Sequence, residues 1–194
     1  PRNMFLGLRS PMAKNKEKTT KLVLLGLLTA ILFVMSYTPL GYLKLGGIEI
    51  TFNVIPVAIA AIALGTSGGA TVGAVFGLTS FLQCVQGTSL FGATLLGINP
   101  ILTAILCILP RMLAGLISGA VHKVLVNKAG KKVMCFITGF LSAFLNTLFF
   151  MTVLIVLFGK TDYIMDMRDG MNLIAFVCAF IGINAVFEML ASTL

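Results

Sequence analysis

Charge is scarce in this sequence. Only 10% of the 194 residues are Asp, Glu, Lys or Arg, whereas a soluble domain carries about 25%. Tryptophan is absent and His122 is the single histidine. One histidine builds neither a zinc site nor a His-dependent catalytic dyad, and His122 reads as an interfacial residue at a helix end. No G-x-x-x-x-G-K-[ST] run occurs, so the chain has no phosphate-cradling loop with which to hydrolyse ATP itself. The four cysteines, Cys84, Cys107, Cys135 and Cys178, are far apart in sequence. They read as lipid-buried thiols with no metal or redox role. No cofactor, metal or enzymatic activity is expected. A soluble enzyme, a disulfide scaffold and a disordered chain are all excluded by the composition.

Apolar residues are abundant instead. They make up 58% of the chain, at a mean hydropathy of +1.06, which is too many for one globular core. Twenty glycines and fifteen phenylalanines suit a membrane helix bundle, where Gly is commoner than in soluble helices. The fold class expected is an all-α integral membrane protein with six transmembrane helices in one bundle. A span takes roughly 20 apolar residues. The expected spans are Leu22–Leu40, Phe52 to the glycines at Gly65–Gly69, from there to Gln83, Asn99–Val126, Val133–Phe158 and Met171–Leu194. The second and third form a helical hairpin broken at Thr66–Gly69. Between spans lie a loop at Gly41–Thr51, a longer loop at Cys84–Gly97, a turn at Asn127–Lys132 and a polar loop at Gly159–Gly170. Residues 1–21 form a basic cytoplasmic segment, of which 1–11 read as an upstream extension, and 22–194 form the membrane domain. A cleaved signal peptide fits poorly, because the first apolar run is span-length.

The net charge of +8 tempts a nucleic-acid reading, but its distribution explains it otherwise. With the N-terminus cytoplasmic, the inside segments hold Arg2, Arg9, Lys14, Lys16, Lys18, Lys21, Lys123, Lys128, Lys131 and Lys132. The outside loops hold only Lys44, Lys160 and Arg168, offset by Glu49, Asp162, Asp166 and Asp169. That is the positive-inside pattern. It puts both termini in the cytoplasm and makes membrane lipid, not nucleic acid, the partner of the basic residues.

Three features go beyond a bare bundle. The first is a ladder of Gly65, Gly69, Gly73 and Gly77, with further small pairs at Gly26 and Ala30, Gly115 and Gly119, and Gly139 and Ala143. Small residues four apart let membrane helices approach closely, within the chain or against another protein. Gly26 and Ala30 on the first span are the best candidates for a partner-docking face. The second feature is Arg111, about 18 Å down the fourth span from Asn99. A bare guanidinium at that depth costs roughly 3 to more than 10 kcal/mol. Glu188 in the sixth span is the other charge at membrane depth. The two form a structural ion pair, or Arg111 accepts a substrate carboxylate, or the guanidinium is shared. The third feature is a set of intramembrane amides, Asn53, Gln83, Asn146, Asn172 and Asn184. With Asn99 and Arg111 they outnumber what packing needs and suggest a polar cavity for a small, polar ligand. The candidate substrate-binding residues are Asn53, Asn99, Arg111, Asn146, Asn172 and Asn184.

The runs Ile48–Gly65 (IEITFNVIPVAIAAIALG) and Gly69–Phe81 (GATVGAVFGLTSF), then Asn99-Pro100 followed by Leu109–Gly115 (LPRMLAG), resemble the substrate-binding S component of energy-coupling factor (ECF) vitamin transporters, in its pantothenate-type branch. The resemblance covers about residues 21–194. It implies binding of a water-soluble vitamin at the outer face and delivery inward with a membrane T component and two cytoplasmic ATPases, in a bacterial plasma membrane. The ligand would lie between the first outer loop and the fourth to sixth spans, with the 84–97 region and the loop between spans five and six helping to close over it. The family's Ala-x-x-x-Ala docking motif corresponds to Gly26 and Ala30 here. One departure is Asn53, where pantothenate-type relatives tend to have His. Riboflavin, folate, a pyridoxine-type ligand or a queuosine precursor stay open as cargo beside pantothenate. A small ion-coupled transporter is the reading outside the family.

Overall fold

Long apolar runs leave the backbone in lipid no hydrogen-bond partners but its own, so they fold as helices. The computed structural model describes residues 11–38, 42–45 and 48–168. Helix α1 (Pro11–Tyr37) leads to strands β1 (Tyr42–Leu45) and β2 (Ile48–Thr51), then α2 (Val54–Val85), α3 (Leu90–Ile98), α4 (Pro100–Ala129), α5 (Lys131–Phe158) and α6 (Asp162–Arg168). Among the described residues, four helices are long and apolar enough to cross a membrane: Asn15–Tyr37, Val54–Val85, Pro100–Val126 and Lys132–Phe158. The expected sixth span, Met171–Leu194, lies outside the described residues, and Asn172, Asn184 and Glu188 lie outside with it.

The expected elements need several corrections. The basic segment up to Lys21 is helical from Pro11 and continuous with the first span. The loop at Gly41–Thr51 contains an antiparallel hairpin pairing Tyr42 with Thr51 and Leu45 with Ile48. Two runs rich in Ile, Leu, Tyr and Thr on either side of Gly46-Gly47 are a hairpin pattern. The loop at Cys84–Gly97 contains helix α3, whose N-cap Ser89 accepts a hydrogen bond from the Gly92 N–H. The polar loop at Gly159–Gly170 contains α6. The start of α4 is as expected: Asn99 caps it and Pro100 occupies the first turn, where a missing N–H costs nothing.

The hairpin break in α2 falls at Gly65, just before the expected Thr66–Gly69. Gly65 has φ 73° and ψ −156°, a backbone state open to glycine and closed to most other residues. The chain reverses there. A Cβ built on Gly69 would lie 3.1 Å from the Cβ of Ala61, although a continuous helix would hold residues eight apart at about 12 Å. Val57 of the first arm and Val72 and Phe76 of the second share one buried cluster with Leu28 and Leu32 of α1.

The second arm of α2 packs antiparallel on α4, backbone against backbone. A Cβ on Gly69 would strike the carbonyl of Gly115, and one on Gly115 would strike that of Gly69. Gly73 faces the Arg111 carbonyl, Gly77 lies 2.5 Å from the Ile108 Cα by the same construction, and Gly119 lies 2.8 Å from the Gly65 carbonyl. The glycine ladder therefore serves packing inside the chain. In lipid such contacts act through close van der Waals approach, since apolar burial gives helices little drive to associate. A second cluster joins Leu95 of α3, Leu106 of α4, Met151, Leu154 and Phe158 of α5, and Ile164 of α6.

The seam gives a direct expectation. Gly69→Leu forces a side chain into the α4 backbone and should lower stability in detergent by about 3 kcal/mol or more, at the top of the range for overpacking. Gly97→Ala has open space around it and should leave the unfolding temperature within a degree or two of the parent, about the resolution of such changes. Equal unfolding temperatures for both variants would disprove the seam.

Candidate functional site

Arg111 lies one residue after Pro110, inside α4. Its backbone carbonyl is against Gly73, so Phe76, one turn on along α2, is carried over the side chain. The guanidinium carbon sits 4.8 Å from the centre of the Phe76 ring and 5.3 Å from that of Phe150 in α5. Both distances fall in the cation–π range, which is worth about 2 kcal/mol or more for a desolvated cation. Nη1 donates to the Cys107 carbonyl at 2.7 Å. Nε is buried with no hydrogen-bond partner among the described residues. Among the described residues no carboxylate pairs with this cation, and the ion pair recorded there is Lys21 with Glu17, 3.2 Å apart in α1. The expected Arg111–Glu188 pair lies outside the described residues.

The arrangement around Arg111 is unusual for a purely structural cation. Two aromatic faces and a carbonyl offset part of its desolvation, yet a buried N–H is left over. An unmade hydrogen bond to a charged group costs more than one to a neutral group, whose loss is about 1–3 kcal/mol. A carboxylate or another strong acceptor is the group that would satisfy that edge.

Asn53 is fully buried, at 0% exposure, directly before α2. Its Nδ2 donates to Ser36 Oγ of α1 at 3.0 Å, and Ser36 Oγ donates to Thr79 Oγ1 of the second α2 arm at 3.3 Å. Thr79 Oγ1 donates to the Phe76 carbonyl at 2.9 Å, and Gln83 Nε2 donates to the Ser36 carbonyl. The network ties α1 to both arms of the hairpin and ends at the residue that covers Arg111. Asn53 Oδ1 is buried without a partner among the described residues. Asn146 is buried in α5 at 6% exposure, one turn before Phe150 and therefore on the same helix face. Asn99 is differently used: its Oδ1 accepts the N–H groups of Ile101 and Leu102 at 3.1 and 3.2 Å, as a helix cap.

The Asn53 network lies where α1 meets the two arms of α2, Asn146 is buried on the Phe150 face of α5, and Arg111 sits between α2 and α5. Above it, α3 and α6 touch through Phe91 and Tyr163, whose ring centres are 6.1 Å apart. Ser36, Thr79, Phe76 and Phe150 were not among the expected site residues. Phe76 is three positions after Gly73, so the glycine register would have pointed to it. Phe150 is one of fifteen phenylalanines and carries no mark in sequence. Gly26 and Ala30 are exposed on α1, and Gly26 has nothing within 4 Å of a built Cβ. His122 Nδ1 lies 2.8 Å from Thr138 Oγ1 and joins α4 to α5. An open cleft of about 500 Å³ lies at the Gly65 end, lined by Lys16, Glu17, Thr20, Lys21, Leu24, Ala63 and Leu64. It is a solvated, basic edge at the start of α1, away from Arg111.

Fold and interior define a multi-pass helical membrane protein organised round a part-buried cation. The family described as ECF transporter, substrate-specific component, matches residues 20–194, and the chain belongs to that family. It is therefore a transport protein of the plasma membrane, and the resemblance read from the sequence is borne out. The chain is also similar to the pantothenate transporter PanT of Leuconostoc mesenteroides subsp. mesenteroides, at 30% identity over 184 residues, covering 91% of this chain and 88% of the relative.

Removing one member of the polar network should be costly. Ser36→Ala leaves the Asn53 carboxamide and the Thr79 hydroxyl short of a partner, at about 1–3 kcal/mol. Thermal unfolding in detergent should show a fall of several degrees, and no change would mean that the network carries no stability.

Proposed function

We propose that the chain is the substrate-binding subunit of an ATP-driven ECF importer and that its cargo is pantothenate. The observation that carries this reading is the Arg111 guanidinium, held between Phe76 and Phe150 with a buried N–H and no carboxylate paired to it among the described residues. Pantothenate brings one carboxylate, which suits that N–H edge, and hydroxyl and amide groups that suit Asn53 and Asn146. Asn172 and Asn184 complete the proposed binding set from the sixth span. The name of the Leuconostoc relative supports the same cargo. The ion pair with Glu188 expected from the sequence fits the same reading, with the guanidinium shared between that carboxylate and an arriving one.

In this reading six helices cross the membrane, α2 contributing two of them, with both termini cytoplasmic. The β1–β2 hairpin, α3 and α6 then lie on the outer side, over the Arg111 interior. Two cytoplasmic ATPases and a membrane T component supply the energy. The T component docks on α1 at Gly26 and Ala30, a small stripe that the described residues leave exposed.

The first test is thermal stabilisation of the purified protein by a panel of water-soluble vitamins. A ligand that binds only the folded state adds about 2.7 kcal/mol at 100 times its dissociation constant. Pantothenate alone should give a clear shift. A shift with another vitamin keeps the class and replaces the cargo, and no shift with any of them counts against the importer reading. Arg111→Ala should abolish the pantothenate shift. Retained affinity with a lower unfolding temperature would assign Arg111 to the pair with Glu188 instead.

The docking face has its own test. Ala30→Trp should leave pantothenate binding unchanged and abolish uptake in cells carrying the ATPase module. Uptake at the parental rate would remove Gly26 and Ala30 from the interface.

A further inference from the structure

Two cysteines that are 23 positions apart meet in the fold. Cys84 ends the second arm of α2 and Cys107 lies in the second turn of α4, with their Sγ atoms 3.9 Å apart. Both are buried, at 5% and 4% exposure. The Cys84 thiol donates to the Ser80 carbonyl at 3.2 Å. Gly92 of α3 is seated directly on it, so that a Cβ at position 92 would collide with the sulfur. On the other side, the Cys107 carbonyl is the acceptor for Arg111 Nη1. The sulfur pair therefore sits at the junction of α2, α3 and α4, one turn before the part-buried cation.

We propose that Cys84 and Cys107 form a dithiol modification site, which a two-electron oxidant closes to an intramolecular disulfide. A disulfide needs the sulfurs about 2.05 Å apart, so each moves by roughly 1 Å from its place. The balance is simple with a diazene oxidant such as diamide. Two S–H bonds break and one S–S bond forms. The two electrons and two protons reduce the N=N bond to a hydrazine. The bridge staples the end of α2 to α4 and encloses α3 in a covalent loop, so α2 and α4 can no longer part at that end. Reaction is slower here than at Cys135, which is exposed, because the pair is reached only by small apolar oxidants or through local opening.

The test does not depend on the identity of the cargo. Protein folded in detergent, carrying Cys135→Ser and Cys178→Ser, is treated with diamide, freed of excess reagent, and only then unfolded in dodecyl sulfate for peptide mass spectrometry and maleimide labelling. The expected product is a linked Cys84–Cys107 peptide lighter by two hydrogen atoms. Both thiols are lost to maleimide together, and dithiothreitol restores both. The bridged protein should unfold at a temperature higher by roughly 4 °C or more. In the further variants Cys84→Ala and Cys107→Ala the remaining thiol should still label with maleimide after the same treatment. Bridging seen only when diamide is added after unfolding in dodecyl sulfate, disulfide-linked dimers as the main product, or the two thiols lost independently would each overturn the site. A bridge that leaves the unfolding temperature unchanged would overturn the staple.

Discussion

The close approach of α2 and α4 is the constraint on which the rest of the molecule depends. In lipid there is little hydrophobic gain from bringing two apolar helices together, so the contact must be intimate to be stable. Gly69 and Gly115 meet carbonyl to backbone, with Gly73 and Gly119 continuing the line on either side. No side chain separates the two helices along that line. Everything else is placed relative to this pair: α1 leans on the hairpin through Leu28 and Leu32, while α5 covers the opposite side of α4.

The same seam explains how a guanidinium is tolerated at depth. Arg111 is brought under Phe76 because its carbonyl fits against Gly73, and α5 supplies Phe150 from the other side. Moving α4 by one turn would separate the cation from both rings and expose it to hydrocarbon. The polar network from Asn53 through Ser36 and Thr79 ends on the Phe76 carbonyl, so the ring that covers the cation is fixed from behind. Site and scaffold are one construction here, and a substitution in the seam disturbs both.

Much of this was legible in the residues. The membrane class followed from the lack of charge, the helical reversal from the glycine cluster, and the start of α4 from Asn99-Pro100. Arg111 stood out because a charge in an apolar run needs a reason. Less legible was what surrounds it. Phe150 looks like any membrane phenylalanine, and its partnership with Arg111 exists only after α4 and α5 have packed. Helices α3 and α6 were missed because they are short and lie in polar or Gly-rich stretches, where tertiary packing of Leu95 and Ile164 decides the outcome. Asn99 shows the converse: a polar residue at a membrane edge was read as a ligand group, while its oxygen caps a helix.

Glycine contacts have an entropic side as well. A seam made by residues without side chains freezes no rotamers when it forms, so little conformational freedom is lost in making it. It also offers no alternative rotamers through which the helices could slide past one another. Backbone packed on backbone has one comfortable arrangement, and the next is blocked by the first Cβ encountered. The hairpin of α2 and α4 therefore behaves as a single stiff body. Whatever rearrangement admits or releases a ligand must be carried by elements joined to that body through ordinary side chains, among them α1, α3, α5 and α6.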